Sequence, residues 1–257
     1  MVVRTGSPLA ALVLALCVAG VAMPAAAATK KHAAVAVSKK ALAKKPAAKP
    51  KPIEPPQMVL QLADWVVRTG DNGDLPFAIV DKTQAVVAVF DAEGKLLGAD
   101  AALVGSAQGD DSAPGVGDRE LADIPLEDRT TPAGRFIGGF GRAAGQQRVL
   151  WVDYGTAISM HAVITTHPKE RRPQRLRSKT PDDNRITHGC INVPAKFYTG
   201  VVRPAFRKER GLFYILPDTK PLGEVFPDFD FQMRVAGPST TQVNSEPPQP
   251  TAPSEQL

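Results

Sequence analysis

The sequence predicts a mainly β fold with one or two short helices, and three observations carry that prediction. Short apolar runs rich in Val, Ile and Phe recur from Phe77 onward, clusters of Gly, Asp, Ser and Pro separate them, and only the stretch after Pro194 repeats apolar residues at helical spacing. Phe77–Val80, Ala85–Phe90 and Lys95–Leu97 alternate with the turn segments Asp81–Gln84 and Ala92–Gly94, which reads as three consecutive strands in hairpins. Gly105–Gly117 reads as a loop. Phe136–Gly138 and Val149–Val152 are further strands, and Ala157–Ile164 places His161 within or at the end of another. In the helical stretch Pro194 suits the first turn, and Phe197, Tyr198, Val201 and Val202 share a face. Pro204 should kink or split this helix, and Gly211 should close it behind basic residues. Leu212–Leu216 returns as a strand, and Phe226, Phe229 and Phe231 are expected to pack back onto the domain.

The flanks differ from this body. Residues 1–28 have the form of an export signal: Arg4 in a short n-region, an apolar core from about Leu9 to Val21, and Ala25–Ala28 as small-residue cleavage positions. The core is short for a bilayer span. Residues 29–56 carry eight lysines against one glutamate, and the signal carries Arg4. Of the net charge of +5, the remainder from Gln57 onward is therefore −3. The basic character belongs to a Lys-, Ala- and Pro-rich linker rather than to a nucleic-acid-binding face. That linker has no apolar periodicity and is expected to be disordered, either as a spacer or in contact with anionic envelope polymers or lipid headgroups. Residues 57–235 have the composition of one globular domain, and the Pro-, Ser-, Thr- and Gln-rich tail 236–257 should again be disordered.

Two cysteines are present, and Cys17 falls within the signal, so Cys190 is the one expected to remain. No intramolecular disulfide can then form. A free thiol in an oxidising compartment is a liability, which favours a chemical role for Cys190. A thiol with an ordinary pKa near about 8.5 needs an adjacent imidazole to become a nucleophile at neutral pH. His188 lies two residues away on the same extended segment, poor geometry for a directed base, whereas His161 on an earlier strand can approach across the sheet. Gly189 allows the backbone close to a substrate carbonyl, and neighbouring N–H groups can form an oxyanion hole. Ser159 and Asp153 near His161 would allow a serine triad, but no Gly-x-Ser-x-Gly element supports one. Scattered histidines and one cysteine lack metal-ligand spacing.

The segment Thr187-His188-Gly189-Cys190-Ile191-Asn192 resembles the signature of the L,D-transpeptidase catalytic domain family: serine or threonine, histidine, glycine, cysteine, an apolar residue and asparagine, with a histidine on an earlier strand. Thr131-Pro132-Ala133-Gly134-Arg135-Phe136 is similar to the family's Thr-Pro-x-Gly-x-Phe segment, and Ile79–Gly105 to its opening hairpins. The resemblance covers about Phe77 to Pro217. It implies an exported enzyme on a β-sandwich-like fold, acting on peptidoglycan stem peptides, located in the periplasm or cell envelope, and needing no cofactor or metal. It further implies Cys190 as nucleophile, His161 as general base and acid, the Ala162 carbonyl orienting the imidazole, and amides near Gly189 and Cys190 holding the oxyanion. The sequence departs from the family pattern in two places. Ala162 follows His161 where glycine is common, and 25 residues separate His161 from Thr187. His167, with 19 residues between it and Thr187, is nearer the usual spacing, but His167-Pro168 reads as a loop start, so His161 is preferred.

The extra length is a basic insertion, Lys169–Arg185, of net charge +4. Lying between base and nucleophile, it reads either as a lid whose Arg172 and Arg175 bind stem carboxylates or as a solvated loop with local pairs. His188 either helps position substrate or hydrogen-bonds the loop, Thr187 is a candidate substrate contact, and Asn192 is expected mainly to fix the turn after Cys190. Trp151 and Tyr154 read as core or pocket wall. The functional reading is a cysteine acyltransferase releasing D-alanine from tetrapeptide stems. Its alternatives are an L,D-carboxypeptidase using the same acyl-enzyme, and a non-catalytic envelope-binding protein on the same fold.

Overall fold

A computed structural model describes residues 53–143, 148–208 and 210–236. The signal segment, the linker up to residue 52 and the tail from residue 237 lie outside the described residues. Helix α1 (Gln57–Thr69) opens the fold, followed by strands β1 (Phe77–Asp81), β2 (Val86–Phe90), β3 (Leu96–Ala101) and the short β4 (Val104–Gly105). After a long loop come β5 (Gly134–Arg142), β6 (Arg148–Asp153) and β7 (Ile158–Ala162). The insertion contributes α2 (Arg172–Arg175) before β8 (Arg185–Thr187) and β9 (Ile191–Val193). Then α3 (Ala195–Phe197), a wide π turn over Tyr198–Val202 and α4 (Arg203–Phe206) lead to β10 (Gly211–Leu216), and α5 (Leu222–Val225) and α6 (Pro227–Ala236) follow.

Eight strands form one mixed sheet in the order β3-β2-β1-β10-β5-β6-β7-β9, and β4 pairs with β8 in a second, two-stranded sheet. The β1–β10 and β7–β9 pairs are parallel. Both faces of β1 and β10 are covered, which is why both read as continuous apolar runs. Phe77 and Ile79 of β1, with Leu212 and Tyr214 of β10, pack on one side with Val59, Leu62 and Val66 of α1. Ala78 and Val80, with Phe213 and Ile215, pack on the other side with Leu150, Met160, Ile191 and Val193. Residues from β1 and from β6, β7 and β9 thus share one core, so the long sheet curls over upon itself like a sandwich.

The corner is in β5. Its first half pairs with β10 as far as Gly138, and its second half pairs with β6 from Gly139. A side chain at Gly138 would meet the Trp151 carbonyl at 2.1 Å, so only glycine lets the two halves cross this closely.

Several elements differ from the sequence expectation. Helix α1 was not foreseen, although Val59, Leu62, Ala63 and Val66 give it a buried stripe and Gly70 closes it in the left-handed conformation. Ile53, assigned to the linker, packs with Ala101, Leu103 and Leu176. The helix after Pro194 is split as Pro204 requires. The π turn before it accommodates a ring that lacks an N–H, and Gly211 begins β10 rather than closing the helix. Phe226 and Phe229 are buried, whereas Phe231 is 67% exposed on the outer face of α6. No helix among the described residues is long and apolar enough to cross a membrane.

Candidate functional site

The parallel pairing of β7 with β9 sets Met160 level with Ile191 and His161 level with Asn192. One step back along the same register, Ser159 falls level with Cys190. Because side chains alternate along a strand, Ser159 and His161 point to the same face and flank the thiol. Ser159 Oγ lies 3.5 Å from Cys190 Sγ, and the Ala157 carbonyl is 3.8 Å from the same sulfur.

The turn that presents Cys190 is built from close contacts. Gly189 has φ +123°, and a Cβ there would lie 2.6 Å from the Thr130 carbonyl oxygen and from the tip of Ile158, so the position admits only glycine. Its carbonyl accepts from Thr131 Oγ1 at 2.7 Å, and its N–H donates to Thr187 Oγ1 at 3.1 Å. Thr187 Oγ1 in turn donates to the Cys190 carbonyl at 2.7 Å. Thr131 also accepts from the Gly105 N–H at 2.8 Å and is tied through its own carbonyl to the buried Lys82 ammonium at 2.8 Å.

Lys82 is the centre of a buried ionic network. Its ammonium is 2.6 Å from Asp110 and 3.6 Å from Asp218, and Asp218 receives Arg185 at 2.6 Å. Asp110 also accepts from the amides of Asp218, Thr219 and Lys220 and from the Thr219 hydroxyl. Burial alone would raise the Asp110 carboxyl, but Lys82 and these hydrogen bonds outweigh it and hold it far below the usual carboxylate range. The loop ahead of β5, the segment after β10 and the start of β8 are locked together here.

Cys190 and His161 form an electrostatic pair. Burial opposes ionisation of the Cys190 thiol, yet hydrogen bonding to His161 and Ser159 prevails and lowers it below its ordinary value. Burial likewise disfavours the His161 cation, while the interaction with Cys190 and the hydrogen bond to Ala162 raise its pKa overall, with Arg172 pulling the other way. His161 Nδ1 is 2.9 Å from the Ala162 carbonyl and therefore donates to it, and Nε2 is 3.1 Å from Asn192 Nδ2. Asn192 Oδ1 accepts from Arg172 at 2.7 Å, and Arg172 is held by Glu170 at 2.6 Å. His188 sits on the rim, its pKa lowered by burial and then by Arg129 and Arg172, with Glu170 acting in the opposite direction. This arrangement supplies a thiol biased toward thiolate and an imidazole oriented by a backbone carbonyl, the parts that nucleophilic acyl transfer requires.

The fold brings together Cys190, His161, Ala162, Gly189, Asn192 and Arg172. His167 is exposed at the start of the insertion. Thr187, expected at the substrate, is instead buried and engaged within the turn. Asn192, expected to fix that turn through its side chain, instead bridges Arg172 and His161. Arg175 does not face the site: it donates to the carbonyls of Glu170 and Asp183 and braces the insertion. The insertion is not a free lid, because Leu176 packs with Ala101 and Leu103, and the buried Asn184 donates to the Ala102 carbonyl at 2.8 Å. Trp151 and Tyr154 meet edge to face, Tyr154 being 75% exposed, and form, as expected, part of a pocket wall, in a surface cavity shared with Ile137, Phe140 and Phe206 that includes neither Cys190 nor His161. The sequence reading assigned no role to Thr131 or Glu170 and set Ser159 aside with the serine triad. Only the spacing of Ser159, two residues before His161 on a strand, could have flagged it.

No protein-family model and no curated protein matches the sequence. Solved structures similar to part of it include the helical cell shape determining protein Pgp2 from Campylobacter jejuni, at 15% identity and a TM-score of 0.38, covering 63% of this chain and 57% of that one. They also include the LD transpeptidase LdtMt1 in complex with imipenem, at 12% identity and a TM-score of 0.32, covering 55% and 59%. The catalytic domain of the E. faecium L,D-transpeptidase is 15% identical with a TM-score of 0.32, covering 55% of this chain and 97% of that domain. The chain thus spans less than two thirds of the length of the Campylobacter jejuni protein.

Proposed function

We propose that this protein is an exported cysteine acyltransferase of the L,D-transpeptidase type, acting on peptidoglycan tetrapeptide stems in the periplasm or cell envelope. The observation that carries this reading is the Cys190–His161 pair, in which the thiol is lowered by an imidazole fixed on a backbone carbonyl, set within the Thr187–Asn192 motif. Cys190 thiolate attacks the carbonyl of the third stem residue, forming a C–S bond. The negative oxygen of the tetrahedral intermediate is held by the Cys190 amide, the Gly189 N–H being engaged by Thr187. Collapse breaks the bond to the terminal D-alanine, whose amine leaves with the proton from His161. The thioester keeps the acyl group until an amine of a second stem attacks, His161 takes that amine's proton, and the thiolate departs. The basic linker 29–56 would act as a spacer, or hold the domain near anionic envelope polymers or lipid headgroups.

Mass spectrometry of the protein incubated with tetrapeptide muropeptides tests the reading. A Cys190 adduct lacking D-alanine together with cross-linked dimers supports transfer. Tripeptides without dimers would make it an L,D-carboxypeptidase with water as acceptor. The absence of both an adduct and a product would leave a binding protein and overturn the proposal.

A further inference from the structure

The proton of Cys190 has one place to go on His161. Nδ1 faces the Ala162 carbonyl at 2.9 Å, and a carbonyl only accepts, so Nδ1 carries the hydrogen and Nε2 the lone pair. The thiol does not have that lone pair to itself. Asn192 Nδ2 lies 3.1 Å from Nε2, and an amide NH2 only donates. The orientation of the Asn192 amide is dictated by its other end, because Oδ1 receives Arg172 Nη1 at 2.7 Å and a guanidinium has no acceptor. Turning the amide over would point its NH2 at Arg172. Arg172 is only 13% exposed and is pinned by Glu170 at 2.6 Å. Glu170, Arg172, Asn192, His161 and Ala162 thus form one line in which every donor and acceptor is assigned by chemistry.

We propose that Arg172 is a positioning residue that acts through the Asn192 amide to lock His161 in its Nδ1–H tautomer and to oppose its protonation, limiting how far the interaction with Cys190 shifts the pair toward thiolate and imidazolium. The inference rests on the reading of Cys190 as nucleophile and His161 as base. An imidazolium Nε2–H would confront the Asn192 N–H. Relief requires the amide to present Oδ1 instead, at the cost of its bond to Arg172. The groups facing His161 are the Cys190 thiol at the start of β9, Arg172 with its partner Glu170 from the insertion, and, further along the rim, His188 with Arg129. Of these, Cys190 and Arg172 are the ones that shift the ring, Arg172 by its charge as well as through its bond to Asn192.

The test is the pH profile of Cys190 alkylation by iodoacetamide, read by peptide mass spectrometry on the full chain. Compared with wild type, Arg172→Met should lower the midpoint by about one unit, a roughly tenfold faster reaction below it. Arg172→Lys, which keeps a cationic donor, should return the midpoint toward wild type. Asn192→Ala should lower the midpoint in the same direction, and Arg172→Met added to it should shift it by clearly less than Arg172→Met does alone, the remainder being the guanidinium's own charge. An unmoved midpoint in Arg172→Met, or a shift that adds in full to that of Asn192→Ala, would overturn the relay, the second outcome marking a direct charge effect. Nitrogen-15 NMR of His161 in the wild-type protein decides the same question without a variant: protonated Nδ1 and bare Nε2 are expected, and the Nε2–H tautomer would overturn the proposal. Neither readout uses a stem peptide, so a protein that forms no acyl adduct with muropeptides would fail the functional reading and still leave these measurements interpretable.

Discussion

Thr131 Oγ1 donates to the Gly189 carbonyl at 2.7 Å and accepts from the Gly105 N–H, joining the residue before Cys190 to two loops that are distant in sequence. Thr131→Val keeps the shape and removes both bonds, leaving a buried carbonyl and a buried N–H unpaired. Stability should fall by about 2–3 kcal/mol in urea unfolding. Alkylation of Cys190 should become less site-specific in its pH dependence as the turn loosens.

Gly189→Ala should be worse. The new methyl would meet the Thr130 carbonyl oxygen at 2.6 Å in a backbone conformation with φ +123°. Strain and overlap together should cost roughly 2–5 kcal/mol, measurable as a lower unfolding midpoint. Any folded fraction should have an ordinary, slowly reacting thiol.

The two histidines separate cleanly by experiment. Hydrogen bonding to His161 works against burial to keep the Cys190 thiol low, so in His161→Ala burial is left opposed mainly by Ser159. The midpoint of the iodoacetamide profile should then move to higher pH. His167→Ala, at an exposed position and not among the groups acting on the thiol, should leave the profile in place. A shift in His167→Ala with none in His161→Ala would reverse the assignment.

Lys82 and Asp110 are both fully buried, with 0% side-chain exposure. Lys82→Met leaves Asp110 without its cation and should destabilise the domain by about 3–5 kcal/mol. The pH dependence follows from Asp110 being depressed in the folded state. Its contribution is complete above the unfolded carboxyl value near about pH 4 and is lost as pH falls further toward the folded value. Acid unfolding followed by circular dichroism should show this loss in wild type and a shallower dependence in Asp110→Asn.

Arg175→Ala should lower stability by about 1–3 kcal/mol through the lost bonds to the Glu170 and Asp183 carbonyls. It should leave the Cys190 alkylation midpoint unchanged, in contrast to Arg172→Met. Paired profiles of the two variants provide the check.

The strands were legible because β1, β2 and β10 are buried on both faces and are written in apolar residues, apart from Asp81 at the end of β1. Helix α1 was less legible. Pro56 occupies its N-cap without a side-chain cap, so the usual start signal is missing while the buried stripe is present. Cys190 and His161 could be found from residue chemistry and motif. The roles of Thr131, Asn192 and Arg172 could not, because each depends on pairing between segments far apart in the chain. A register shift of one residue between β7 and β9 would turn His161 away from the thiol. Lys82 is the clearest case: a lysine in a turn between two strands reads as solvated, and only the fold shows it buried against two aspartates.

The Lys82 network ties together segments from the whole length of the domain. Its anchors come from the turn after β1, the loop ahead of β5, the start of β8 and the segment after β10, so it closes only when nearly the whole domain has been assembled. Thr131 carries this closure to the thiol: its carbonyl accepts from Lys82 and its hydroxyl donates to the Gly189 carbonyl, so the seat of Cys190 is fastened to segments from both ends of the domain.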